Sequence, residues 1–271
     1  MGRSKSRTVR ADLLEKAHEA IDRGDRERAR RLLRKLVATR PPSAELAVLE
    51  WRCAALAEDL GPALEVAQAG AASYPDEPEL QHAIGWTLLE MERFDGAISH
   101  LEEACFLDAD FADAWYDLAV AREQTGDLGG MRQAFRQVWE IDSAPGGPPL
   151  RFRAEQLEGW AKRAIEQLDD RLRAEVADVP VFVQEYPDEW ILEDAPWDPR
   201  LLGLFDGPTW ADLAAGEGQG LTPHVYLFQR NLERVCGDSR DLAEQVRITV
   251  HHELGHFLGL DEDALHERGL G

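Results

Sequence analysis

The chain has 271 residues, with 30 Lys+Arg against 52 Asp+Glu and a formal net charge of −22. So acidic a chain lacks the basic footprint of a phosphate-backbone binder, which excludes broad nucleic-acid binding. An apolar share of 44% supports packed cores rather than disorder, and the length suits about two domains.

The charge is uneven. Positions 1–40 carry a surplus of Arg and Lys over Asp and Glu, whereas the remainder is strongly acidic. The basic start reads as a solvated helix face with a short basic tail. Met1 to Arg10 lacks the apolar core of a secretory signal. Gly2 and Ser6 meet only the loose myristoylation pattern.

A 34-residue period then fills the first half. Ala29, Ala63, Ala97 and Met131 keep it, as do Leu33, Ala67, Leu101 and Phe135. Pro41, Pro75, Ala109 and Ser143 keep it at the unit ends, and Gly85 matches Ala119. A small residue, an apolar one four later and a closing proline are the marks of a two-helix unit. Ala and Gly stand where helices cross closely, and Leu and Phe fill the gap between units. Trp115, Leu118 and Ala119 match the opening of the fourth unit, and Gly61-Pro62 marks the mid-turn of the second. On these residues, positions 8–143 resemble the tetratricopeptide repeat (TPR) family. The resemblance implies an all-α solenoid of about four units, whose concave face binds an extended peptide or a partner protein.

Ser143 to Pro149 holds three Pro and two Gly. Such a segment ends one helix and blocks the next. The expected domains are therefore 1–145, a linker at 146–149, and 150–271. The second half changes character. Leu150 to Val176 is predicted as one charged helix, with Leu157, Trp160, Ala161, Ala164, Ile165 and Leu168 at helical spacing. Val179 to Tyr186 is predicted as a strand. An acidic stretch follows, with Glu185, Asp188, Glu189, Glu193, Asp194 and Asp198. It is expected as a solvated loop that can favour basic substrates. Asp198 to Gly207 is apolar and turn-rich. Gly216, Gly218 and Gly220 mark a loop, not a phosphate cradle, because no helix start follows. Pro223 to Arg230 is the second predicted strand. The last helix starts near Asp238 or Ser239 and runs to Leu258. The second domain is thus α+β.

The last helix carries the chemistry. His252-Glu253-Leu254-Gly255-His256 is an HExxH motif. Residues four apart share a helix face, so both imidazoles can reach one ion. Zn²⁺ suits such ligands, and catalytic sites use three protein ligands with one position left for water. Glu253 would serve as the base toward a water whose pKa the metal lowers from 15.7 to about 7. Leu242, Val246, Val250 and Leu254 form a buried stripe on another face. The short stretch from Phe257 to Gly271 leaves no room for a glutamate ligand on a later, separate helix. Gly259 can take φ > 0 and turn the chain back toward the metal. Three positions beyond it stands Glu262, the expected third ligand, with Asp261 as the alternative and Asp263 and His266 as outsiders. His251 is rotated by about 100° from His252 and is expected in a supporting or surface role. No methionine of the second domain can supply a Met-turn. His224 and Tyr226 on the second strand are candidate substrate contacts, available if that strand is a sheet edge to which a peptide can add.

At this point the second domain, over about 150–271, resembles the small bacterial minimal-zincin metallopeptidases. The residues that carry the resemblance are Asp198 to Phe205, Val225 to Phe228, and Val246 to Asp261. That family ends its motif in H-E-x-x-H-x-x-G-x-x-D, and Glu262 takes the aspartate position. The resemblance implies a compact zincin fold with a small sheet and one active-site helix.

The expected whole is a TPR solenoid followed by a small α+β zincin-like domain. It would be a zinc metallopeptidase with one Zn²⁺ per chain, a peptide or protein substrate, and an unknown protein partner on the repeat face. An adaptor with a structural or inactive zinc site is the alternative. Zinc amidase or deacylase action on a small amide would need the same site. Cys53, Cys105 and Cys236 are too far apart for a disulfide framework or metal knuckle. No apolar run is long enough for a membrane-spanning helix. A cytoplasmic protein without a membrane partner is expected.

Overall fold

The computed structural model describes residues 2–39, 41–194, 198–218 and 220–267. The chain divides into two compact units, Met1–Asp142 and Ser143–Gly271.

The first unit is built of helices α1 (Gly2–Asp22), α2 (Arg26–Thr39), α3 (Ala44–Ala55), α4 (Gly61–Ser73), α5 (Pro78–Glu90), α6 (Phe94–Leu107), α7 (Ala112–Gln124) and α8 (Leu128–Asp142). The starts of α3, α5 and α7, at Ala44, Pro78 and Ala112, are evenly spaced. Their spacing equals the sequence period, which is therefore the period of a helical hairpin. Its small positions Ala29, Ala63 and Ala97 have no exposed surface, and Leu33, Ala67, Leu101 and Phe135 are buried. Pro62 and Pro78 stand in the first turns of α4 and α5, where a missing N–H costs nothing. The basic start is not a free tail, because α1 begins at Gly2. The side chains of residues 1–10, Ser6 among them, lie outside the described residues.

The second unit holds α9 (Ala154–Glu166), α10 (Asp170–Val176), β1 (Val181–Gln184), α11 (Glu189–Asp194), β2 (Gly203–Asp206), α12 (Trp210–Ala215), β3 (His224–Phe228), α13 (Gln229–Val235), α14 (Ser239–Phe257) and α15 (Glu262–Glu267). Several sequence expectations are corrected here. The single helix over 150–176 is two helices, because Asp169 caps a new start by accepting from the N–H groups of Arg171 and Leu172. Within the apolar segment 198–207 lies β2, a strand that sequence reading did not separate from a turn. Asn231 secures the approach to it, donating to Pro199 O at 2.9 Å and Leu201 O at 2.7 Å. The second predicted strand stops at Phe228, and α13 follows at once.

The sheet order is β1-β3-β2. β3 pairs parallel with β1 and antiparallel with β2. The strand expected as a possible edge is therefore central, and no peptide can add to it; β1 and β2 are the edges. Val225 and Leu227 of β3 face a core shared with Leu157, Ala161 and Ala164 of α9 and with Leu242, Val246, Val250 and Leu254 of α14. Burying each such Leu or Val stabilises by roughly 1.5–3 kcal/mol, so the α14 stripe anchors that helix beneath the sheet.

Candidate metal centre

Helix α14 is well bounded. Asp238 caps its start, accepting from Arg240 N at 2.7 Å and Asp241 N at 3.0 Å. At its end Gly259 adopts φ +83°. Gly259 N–H donates to His256 O and Leu260 N–H to Gly255 O, a glycine-terminated helix end that reverses the chain. The reversal leads into α15, and Asp261 caps that helix by accepting from Ala264 N at 2.9 Å; a later, separate helix, for which the sequence reading left no room, is therefore present, and Glu262 opens it.

Gly255, inside the motif, lets α15 come close. A Cβ there would lie 2.2 Å from Leu265 Cδ2, and Leu265 is fully buried. Any side chain at this position would force Leu265 to shift. The contact brings Glu262 over the histidines. Glu262 Oε1 lies 3.3 Å from His256 Nε2 and 3.7 Å from His252 Nε2, and the two Nε2 atoms are 3.1 Å apart. His252, His256 and Glu262 form the group of three potential metal ligands found among the described residues, their ligand atoms all within 4.8 Å of one another.

The donor chemistry fits a zinc ion. His256 Nδ1–H donates to Leu260 O at 3.1 Å, which leaves a lone pair on its Nε2. That lone pair faces a second imidazole nitrogen and a carboxylate oxygen, so three potential ligand atoms gather at one point. Tetrahedral bonds of about 2.0–2.1 Å separate ligand atoms by about 3.3 Å, close to the spacings seen. Asp261 is used as a helix cap, and Asp263 and His266 stand outside the group.

Glu253, one residue after His252, is not one of the three grouped ligands but lies within electrostatic range of both histidines and of Glu262. It is 7% exposed, and its Oε2 accepts from Phe205 N–H of β2 at 2.8 Å. Burial pushes its carboxyl above the ordinary range, opposed by His252, by the Phe205 hydrogen bond and by His256. Gly203 permits the close seating of β2 on α14: a Cβ there would lie 2.5 Å from Thr249 Cγ2 and 3.3 Å from Glu253 Cγ. Phe228 N–H donates to Leu202 O. Antiparallel ladders alternate, so Gly203 and Phe205 turn their backbone groups away from β3, the side on which Glu253 takes the Phe205 N–H. β2 is thus the element that sequence reading missed at the site. The signal present was Gly203 within an apolar run.

Two other expectations change. His251 is buried, and its Nε2–H donates to Ala164 O at 2.9 Å while Nδ1 accepts from Arg247 at 3.3 Å. It ties α14 to α9 instead of supporting the metal side. His224 and Tyr226 alternate with the core-facing Val225 and Leu227, so they occupy the opposite face of the sheet from α14. There His224 Nε2 meets Tyr226 Oη at 3.0 Å and Asp206 Oδ2 at 3.2 Å. Burial, then Asp206 and Asp188, pushes the Tyr226 hydroxyl up. Neither residue is placed to contact a peptide at β3. Of the acidic stretch, the Glu193 and Asp194 side chains lie outside the described residues.

Comparison with known proteins agrees with both halves. Residues 176–271 match the model of the zincin-like metallopeptidases, and residues 82–148 match a tetratricopeptide repeat model. Solved structures similar to the chain include MamA from Desulfovibrio magneticus RS-1, at 18% identity and TM-score 0.43, covering 51% of this chain and 78% of that one. Another is YrrB, described as a TPR protein with an unusual peptide-binding site, at 16% identity and TM-score 0.39, covering 46% and 64%. No curated protein matches the chain. The chain joins a TPR array to a zincin-like domain, and no described helix is long and apolar enough to cross a membrane.

Proposed function

We propose that this chain, a TPR array joined to a zincin-like domain, is a zinc-dependent metallopeptidase. The reading rests on one observation: His252, His256 and Glu262 converge beside the buried carboxylate of Glu253. These three residues would hold one Zn²⁺, which when bound supplies a Lewis acid and lowers the pKa of water toward about 7. Glu253, held in place by Phe205 N–H, takes the proton of the attacking water and delivers it to the leaving nitrogen. A structural metal site needs no such base, which favours the enzyme over an adaptor. The open edge of β2 replaces β3 as the substrate platform. A peptide hydrogen-bonds along this edge, at the carbonyl of Phe205, as an added strand, which suits peptide bonds better than a small isolated amide. The repeat array binds a protein partner or the substrate itself and raises its local concentration at the site. The three cysteines are buried and unpaired, which supports a reducing, cytoplasmic setting.

The test compares zinc content and peptide hydrolysis in three proteins. Wild type is expected to hold one zinc and to cleave. His256→Ala loses both. Glu253→Gln keeps zinc and loses about 10²–10⁴-fold in rate. Zinc-free wild type after reconstitution, or full activity in Glu253→Gln, overturns the reading.

A further inference from the structure

Between helices α9 and α14 lies a cleft of ≈ 620 Å³, with the small side chains of Ala164 and Ala243 in its lining. Its volume lies within the range of small-molecule sites. Three arginines line it: Arg163 from α9, and Arg240 and Arg247 from α14. One carboxylate, Glu244, stands with them. It binds Arg247 through two bonds, Nη2–Oε1 at 2.7 Å and Nε–Oε2 at 3.0 Å. Arg247 Nη1 also donates to His251 Nδ1, so this guanidinium is fixed from two sides. Arg163 and Arg240 make no side-chain hydrogen bond or ion pair with any described residue, and Asp238 and Glu244 act on Arg240 only at longer range. Half-buried Trp160 closes one wall, its ring set edge-on to Phe152.

Exposed arginines on a helix are ordinarily just solvated. This group differs in lying around a recess, in a chain of net charge −22, with two guanidinium forks left open for a ligand. Three arginines against one glutamate give the lining a surplus of positive charge. A phosphomonoester carries about −1.5 to −2 near pH 7, and its oxygens match guanidinium forks bidentately. The indole and the alanines suit an apolar or aromatic substituent on the same molecule. We propose that the α9–α14 cleft binds a small phosphomonoester with an apolar group, held by Arg163, Arg240 and Arg247. The site is separate from the candidate metal centre. Arg240, Glu244 and Arg247 occupy a face of α14 rotated about 130° from that of His252 and His256.

The test is calorimetric titration of the full chain with phenyl phosphate, inorganic phosphate and phenylacetate. Phenyl phosphate is expected to bind at one saturable site and more tightly than either of the others. Arg163→Ala/Arg240→Ala weakens it roughly 10-fold or more, because two charge-assisted contacts are lost. Trp160→Ala removes the advantage of phenyl phosphate over inorganic phosphate. A parallel titration of His252→Ala separates this site from anion capture by a metal: binding there is unchanged if the cleft is responsible. The proposal is overturned by an absence of saturable binding, by equal binding of phenylacetate, by unaltered affinity in the double arginine variant, or by loss of binding in His252→Ala.

Discussion

Gly255 is the residue on which the geometry of the candidate centre turns. It is not a ligand, yet the 2.2 Å approach of Leu265 to its missing Cβ is what seats α15 above the two histidines. Gly255→Ala should leave α14 helical, since alanine favours helix, while pushing α15 outward. Overpacking of this kind costs about 1–3 kcal/mol. The expected outcome is a native circular dichroism spectrum, a lowered melting temperature and weakened zinc affinity. Leu265→Ala in the same chain should restore part of the affinity by making room. If Gly255→Ala binds zinc as wild type does, Glu262 is not held by this contact. HExxH itself was plain in the sequence, because a helix places i and i+4 together. The spacing after Gly259 already pointed to Glu262, but that Asp261 is taken up as the cap of α15 and that Leu265 packs on Gly255 depend on a contact between two helices.

At the scale of the element, two terminal features carry predictions. The turn between α5 and α6 places Glu92 at φ +57°. The same turn one unit later uses Gly126 at φ +80°, and two units earlier Gly24 at φ +68°. A left-handed non-glycine residue costs on the order of 1 kcal/mol or more, and Glu92→Gly should raise stability by about 1 kcal/mol, read as an upward shift of the melting temperature. An unchanged or lower value would mean that the glutamate's chain entropy advantage offsets the strain. The second feature is the cap of α14. Hydrogen bonds from the backbone N–H groups of Asp241 and then Arg240 hold the Asp238 carboxyl below its ordinary value. A carboxyl depressed on folding contributes stability that is present above its unfolded pKa of about 3.9 and is lost as pH falls through the folded value. Asp238→Ala should therefore melt lower than wild type at pH 7, and the gap should narrow on acidification below about pH 4. A gap independent of pH would assign the effect to something other than the charged cap. The elements themselves were unequally legible. The helical hairpins of the first unit follow a period legible in the sequence from Ala29 to Ser143. β2 spans only Gly203–Asp206, too short to display any period, and α13 begins without a break after β3.

The whole molecule is two compact units joined in one chain, each with its own buried residues. A unit with a complete core folds without the other. Residues 143–271 expressed alone should unfold cooperatively, retain one zinc and cleave short peptides with unchanged kcat. The same fragment should show a raised KM toward the protein substrate that the repeats would recruit. A fragment that cannot fold would show that the units share stability, and an unchanged KM would remove the repeats from substrate choice.

What the sequence determined by itself was everything set by local periodicity: a repeating helical hairpin, an amphipathic last helix, two histidines on one face and a glycine that ends it. These follow from backbone geometry within a few residues, where about 3.6 residues per turn leave little freedom. The tertiary structure alone decided that β3 is central and β2 the edge, that Phe205 N–H holds Glu253, that His251 ties to α9, and that Asp261 is used as a helix cap. Each of these is a pairing between segments distant in sequence or a choice between neighbouring side chains. Such outcomes are selected by the total burial and hydrogen bonding of the packed unit, so no short stretch of sequence encodes them.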